Sequence, residues 1–193
     1  SIQPDRIETA TFLCAAAGCG GEVLLRRTDA RMLQSVTALL RQTGCELLEE
    51  QDAVLVRKTG KTGIIPDVKT AAYPGFPTDC QAILTAALLR AEGESRIEET
   101  VFEDRFHHVP ELQKLGAKLE IHHNTVHISG VRTLSGAKLT ARDLRGGAAL
   151  VLAAMQAEGE SRVTGLEHID RGYERFAEKL RALGANIERC FDA

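Results

Sequence analysis

The sequence predicts an α/β fold of three similar units, each giving one buried helix to a common centre and one sheet to the wall around it. Three observations carry this. The glycine motifs "AGCGGEVLL", "LRAEGESRIEE" and "MQAEGESRVTG" recur with their glycines at Gly21, Gly93 and Gly159, spaced by 72 and 66 residues. A second set, "LLRQTGCELLEE", "LQKLGAKLEIHH" and "KLRALGANIERC", follows in the same order with Gly44, Gly116 and Gly184 spaced by 72 and 68. Each unit also pairs one helix apolar on nearly every side with one helix that is apolar on one side only. Two independent markers at nearly one period are the signature of an internal repeat.

The first helix of each unit ("ATFLCAAAGC", "CQAILTAALL", "GGAALVLAAM") lacks a polar face, which signals burial all round. The second ("ARMLQSVTALLRQTG", "HVPELQKLG", "YERFAEKLRALG") carries leucine at three-to-four spacing opposite charge, so it lies on the surface. Gly44, Gly116 and Gly184 suit the left-handed position after a helix. Strands follow at "CELLEE" and "AVLVRK", and at "KLEIHH" and "TVHISG", where "HHNT" fits a hairpin turn with Asn124. Each unit therefore reads strand, buried helix, strand, surface helix, strand, strand. The repeats span about 1–58, 67–130 and 138–193, within a single domain over 1–193. The middle repeat is complete, the first lacks an opening strand and the third its final one. The chain is therefore expected to be a piece of a longer protein that supplies the missing strands.

Composition narrows the function classes. A hydrophobic content of 44% with 26% charged residues is ordinary for a globular protein. A net charge of −3 with no Lys/Arg-rich block speaks against a nucleic-acid partner. No apolar run approaches 18 residues and "SIQPDRIETA" lacks a signal-peptide layout, so neither membrane nor secretion is expected. The five cysteines (14, 19, 45, 80 and 190) are odd in number and form no C-x-x-C. That suits reduced thiols in a cytoplasmic setting rather than disulfides or zinc.

In a pseudo-threefold unit the buried helices run the same way, so their N-termini gather at one end. Each presents unpaired N–H groups and the positive end of a dipole, and three together suit phosphate or carboxylate. The starts are "PDRIE", "FPTDCQ" and "ARDLRGG". Thr78 and Gln81 have capping-box spacing, and Pro77 keeps Phe76 out of helical conformation. This puts Asp79 at about the first helical position. It reads either as an acid complementing the dipole or as a carboxylate held to accept a proton from a substrate hydroxyl. Spacing alone favours the first.

Cys80, one residue on, enters an all-buried helix with no partner base, so it reads as core filler. Asp143 and Arg145 are either an ordinary helix-start pair or functional, with Gly146 and Gly147 letting backbone approach. Arg171, alone, reads as structural. The histidines of "DRFHH" and "IHHN", if in strands, alternate between faces and share no metal.

Five segments together ("PDRIETATF", "YPGFPTDCQA", "ETVFEDRFHHVPEL", "LSGAKLTARDLRGGAALVLA" and "HIDRGYERFAEKLRALGANIER") resemble the enolpyruvyl transferase family, in particular its UDP-N-acetylglucosamine 1-carboxyvinyltransferases. The resemblance implies an inside-out α/β barrel, the C-terminal one of two domains. It implies transfer of enolpyruvate from phosphoenolpyruvate to the 3-hydroxyl of UDP-N-acetylglucosamine, in peptidoglycan synthesis and hence cell-wall biogenesis, cell shape and division. No cofactor is implied. Asp79 matches the aspartate proposed to take the hydroxyl proton, and Val101 a position that binds the nucleotide sugar through its backbone. Arg145 and Arg171 match arginines near phosphoenolpyruvate, Asp143 a cleft aspartate, and Arg105 is a further carry-over of the same kind. The family's phosphoenolpyruvate lysine and reactive loop cysteine belong to the other domain, so this chain alone is expected to be inactive. Two alternatives stay open: a 3-phosphoshikimate 1-carboxyvinyltransferase with another acceptor, and a non-catalytic repeat domain that binds an anion or a partner protein.

Overall fold

A computed structural model describes residues 4–190. The start of the first repeat and the last three residues of the third lie outside that range. Three helices form the centre: α1 (Arg6–Cys19), α3 (Gln81–Leu88) and α5 (Leu144–Ala154) pack on one another. Every residue of α3 is buried, as are Gly146 to Ala153 of α5. Each fully buried Leu or Ile here contributes roughly 1.5–3 kcal/mol through removal of apolar surface from water.

Both ends of the trio converge. At the C-terminal end a Cβ on Gly18 of α1 would lie 3.2 Å from the Ala87 Cα of α3 and 2.9 Å from the amide of Gln156, just past α5. Only glycine lets the backbones approach this closely.

Three sheets pack against the helices. The first is β1 (Gly21–Arg26), β3 (Ala53–Lys58) and β2 (Glu46–Glu49), in the order β1-β3-β2 with antiparallel pairing. The second contains β4 (Asp67–Lys69), β5 (Glu94–Glu98), β7 (Thr125–Ser129) and β6 (Lys118–His122). There β5-β7-β6 repeats the order of β1-β3-β2, and β4 adds in parallel at the edge. The third pairs β8 (Lys138–Thr140) with β9 (Arg162–Thr164), again in parallel. Residues 185–190 form no strand, so the third sheet has two strands among the described residues where the second has four.

The outer helices are α2 (Gln34–Gln42), entered through a 3₁₀ turn, α4 (Val109–Lys114), α6 (Leu166–Asp170) and α7 (Phe176–Ala182). In α2 the inward stripe is Val36, Thr37 and Leu40, the spacing that puts residues on one helix face. The third surface helix is shorter than its sequence suggests. Tyr173, fully buried, stops before α7 and its ring lies 4.7 Å from that of Phe176. Lys179 of α7 reaches back to Glu8 of α1 at 2.7 Å.

The expected β6–β7 hairpin forms with Asn124 in its turn; His123 (φ 55°) is the left-handed residue, and the Asn124 side chain donates to the Glu99 carbonyl. One local expectation is corrected. His107 and His108 occupy the turn into α4 rather than a strand, with His108 buried and His107 half exposed.

Candidate functional site

The first turns of the three central helices meet at one end of the molecule, each held differently. Asp5 caps α1, its Oδ1 accepting from the amides of Ile7 (2.8 Å) and Glu8 (3.1 Å). Asp143 caps α5, with Oδ1 accepting from the Gly146 amide at 2.7 Å. The start of α3 departs from the sequence reading. Thr78, Asp79 and Cys80 form a 3₁₀ turn ahead of the helix, and no side-chain cap forms. Thr78 and Gln81 do not close a capping box, because the Thr78 hydroxyl donates to Glu99 Oε2 at 2.7 Å.

This turn presents Asp79, whose side chain is 38% exposed, to two arginines. Arg145 Nη2 lies 3.4 Å from Oδ2, and Arg105 Nη2 lies 3.5 Å from Oδ1. Arg145, in the first turn of α5, is the more enclosed, with its guanidinium carbon 5.3 Å from the centre of the Tyr173 ring. The Tyr173 hydroxyl is 2.8 Å from Thr11 Oγ1 of α1, so the platform under Arg145 is tied to another central helix. Arg105 lies over the Phe102 ring at 4.6 Å. Stacking of this kind fixes the plane of a guanidinium and leaves its fork free for an anion.

A cavity of about 90 Å³ opens between these groups, lined by Thr78, Gln81, Arg105, His108, Asp143 and Arg145. Two buried nitrogens there lack a protein partner: Nη1 of Arg145 and Nε2 of His108. Burial pushes the His108 pKa down to about 4; nearby Asp143 opposes this and His107 adds to it. At neutral pH His108 is therefore an uncharged imidazole. Among the described residues no group of three or more His, Cys, Asp or Glu is arranged to hold a metal ion.

Cys80 takes no part. It is fully buried, and burial pushes its thiol up to about 12, with Asp79 acting in the same sense against Arg145 and Arg6. The start of α1 lies beside the other two, since α1 packs against the 3₁₀ turn before α3 and against α5.

Of the six residues singled out from sequence, Asp79, Arg105 and Arg145 come together in one cluster. Asp143 lines the same cavity, but its carboxylate is committed to the helix cap. The adjoining glycines serve packing. A Cβ on Gly146 would lie 2.7 Å from the Asp143 carboxylate, and one on Gly147 2.7 Å from Ile169. Val101 is partly exposed, and its amide is spent on Glu99 Oε1 at 2.8 Å. Arg171, exposed at the end of α6, has no hydrogen bond or ion pair joining it to the cluster. Sequence reading passed over Glu99 and Tyr173, and weighed His108 only as a metal ligand. Nothing in their local patterns marks them, since burial and distant partners give them their roles.

The family model described as EPSP synthase (3-phosphoshikimate 1-carboxyvinyltransferase) matches residues 1–180. The chain belongs to the EPSP synthase family. Within it, the chain is 52% identical over 188 residues to the UDP-N-acetylglucosamine 1-carboxyvinyltransferases of Salmonella paratyphi B and Salmonella typhimurium, covering 97% of itself and 45% of each relative. It thus spans less than half the length of these family members. Among solved structures of the family, the enolpyruvyl transferase NikO from Streptomyces tendae superposes with a TM-score of 0.85 at 28% identity, over 97% of this chain and 44% of that one. An EPSP synthase from Acinetobacter baumannii superposes with a TM-score of 0.77 at 18% identity, over 98% of this chain and 48% of that one, a likeness of fold alone.

Proposed function

We propose that the protein carrying this chain transfers the enolpyruvyl group of phosphoenolpyruvate to the 3-hydroxyl of UDP-N-acetylglucosamine, releasing phosphate, as the first committed chemistry of peptidoglycan synthesis. The observation that carries this reading is the 52% identity over 97% of the chain to enzymes of that name. In this reading Asp79 takes the proton of the sugar hydroxyl while the hydroxyl oxygen bonds to the enolpyruvyl carbon and phosphate leaves. Arg145 and Arg171 meet the anionic groups of phosphoenolpyruvate, since planar guanidinium forks suit phosphate and carboxylate. Arg105 belongs to the same group, and its partnership with Asp79 supports that. Val101 would meet the nucleotide sugar through its carbonyl, as its amide is already used. Asp143 keeps the start of α5, and so Arg145, in place.

The domain reading is a single inside-out α/β barrel over 1–193, with repeats of about 1–58, 67–130 and 138–193. It is supported by the shared strand order of the first two sheets and the parallel β4–β5 and β8–β9 pairs. This barrel would be the C-terminal half of a two-domain enzyme. The site is then assembled by closure of the two halves, so the isolated chain is inactive. The free cysteines and the proposed substrates support a reducing, cytoplasmic setting.

The family model's description favours a second reading, with 3-phosphoshikimate as the acceptor. Phosphate release from phosphoenolpyruvate by the intact protein, measured with each acceptor in turn, separates the two. Turnover with UDP-N-acetylglucosamine alone is expected. Turnover with 3-phosphoshikimate alone replaces the first reading with the second, and turnover with neither leaves a binding domain.

A further inference from the structure

Glu99, the residue after β5, is a buried acid that no ion pair satisfies among the described residues; four neutral donors surround it instead. Its Oε1 accepts from the Thr70 hydroxyl at 2.9 Å and from the amides of Val101 at 2.8 Å and Phe102 at 3.2 Å. Its Oε2 accepts from the Thr78 hydroxyl at 2.7 Å. A carboxylate offers about four acceptor positions, and four donors meet this one, three at Oε1 and one at Oε2. Its backbone is fixed as well, with its amide donating to the Asn124 carbonyl at 2.7 Å and its own carbonyl accepting from the Asn124 side chain at 3.0 Å.

These donors come from two separate loops. Thr70 and Thr78 bracket the loop between β4 and the 3₁₀ turn, and Thr78 is the residue before Asp79. Val101 and Phe102 open the loop that carries Arg105, and Phe102 is the ring on which Arg105 rests. A second link runs beside the first, from the Thr100 hydroxyl to the Thr70 carbonyl at 2.6 Å. Asp79, next to Thr78, and Arg105, three residues past Phe102, are 3.5 Å apart and belong to two segments fastened to one carboxylate. The site has this carboxylate where many folds would use a buried apolar contact. Burying a carboxylate is costly unless each acceptor position is filled. The gain is directional: Glu99 fixes where the two loops stand relative to each other, and catalytic groups misplaced by about 1 Å cost on the order of 10²-fold in rate.

We propose that Glu99 is the positioning residue of this site, setting Asp79 through Thr78 and the Arg105 loop through the Val101 and Phe102 amides. This rests on the enolpyruvyl transfer reading above. The test uses the intact protein with Thr78→Val, Glu99→Gln and each of these combined with Asp79→Asn. Thr78→Val severs only the arm toward Asp79. In Glu99→Gln the amide oxygen can still serve the two backbone N–H groups while its NH₂ faces the Thr78 hydroxyl, so the fold is retained and the arm is altered. Each single variant is expected to lower kcat about tenfold, with KM for the nucleotide sugar changed less than twofold by Thr78→Val. In the Asp79→Asn background both are expected to cost less than twofold, because they act through the carboxylate already removed. A purely structural role would lower activity by the same factor in both backgrounds, and that result overturns the proposal, as does wild-type kcat in both single variants. If the unaltered protein transfers no enolpyruvate to the sugar, the functional reading fails and this proposal falls with it, an outcome distinct from an active protein indifferent to Glu99.

Discussion

Arg145 and Asp79 stand 66 positions apart in sequence, yet Nη2 of one lies 3.4 Å from Oδ2 of the other. The contact joins the start of α5 to the turn before α3. An ion pair with this much solvent access contributes about 1 kcal/mol of stability at most. In the proposed function its significance is chemical, because it would hold the proton acceptor and an anion-binding fork at one point. A substrate with both a hydroxyl and an anionic neighbour would divide the pair between them.

Arg145→Lys in the intact protein keeps the charge and loses the fork. The expected result is a fall of at least tenfold in kcat/KM for phosphoenolpyruvate, about 1.4 kcal/mol of transition-state binding. Thermal unfolding should barely move. Steady-state kinetics with the sugar saturating checks this, and unchanged kcat/KM would remove Arg145 from the site.

Tyr173→Phe leaves the ring under Arg145 and removes the hydroxyl bonded to Thr11. Thr11 keeps its bond to the Ile7 carbonyl at 2.8 Å, while Arg145 loses the neighbouring hydroxyl and keeps the ring. The expected loss is about 1 kcal/mol in denaturant midpoint, with activity close to that of the unaltered protein. A large activity loss without a stability change would instead put the hydroxyl in the chemistry.

His108 makes stability depend on pH in the acid range. Its folded pKa of about 4 lies below the usual 6.5, so the unfolded chain binds the proton more readily between those values. Its contribution is complete above pH 6.5, is lost as pH falls toward 4 and levels off below that. The total is roughly 3 kcal/mol. Chemical denaturation at several pH values should show this slope, and His108→Asn should flatten it. An equal slope in the variant would assign it to other groups.

The fold was more legible than the site. Helices buried on every side and glycines at the ends of the repeats are local patterns, so α1, α3 and α5 could be read directly, with their starts together. The 3₁₀ turn at Thr78 could not, because the Thr78 hydroxyl is drawn away from the helix by Glu99, a residue 21 positions downstream. Gly146 and Gly147 looked like room for a ligand and serve the Asp143 cap and Ile169 instead. Arg171 carries no mark of function in its surroundings within this chain, so its assignment rests on the family resemblance.

Cys80 provides a check on burial beside the reactive end. A thiol at about pKa 12 with no exposure should resist alkylation at pH 8 in the folded protein, whereas exposed Cys190 should be modified. Mass spectrometry after brief iodoacetamide treatment distinguishes them. Rapid labelling of Cys80 would mean that the start of α3 opens readily.

The central claim is that Asp79 takes the proton of the accepting hydroxyl. Its most direct test is Asp79→Asn in the intact protein, followed by phosphate release from phosphoenolpyruvate with UDP-N-acetylglucosamine as acceptor. A fall in kcat on the order of 10²–10⁴-fold is predicted, with little change in KM for the sugar. Wild-type kcat in that variant would contradict it and leave Asp79 as an acid that completes the start of α3.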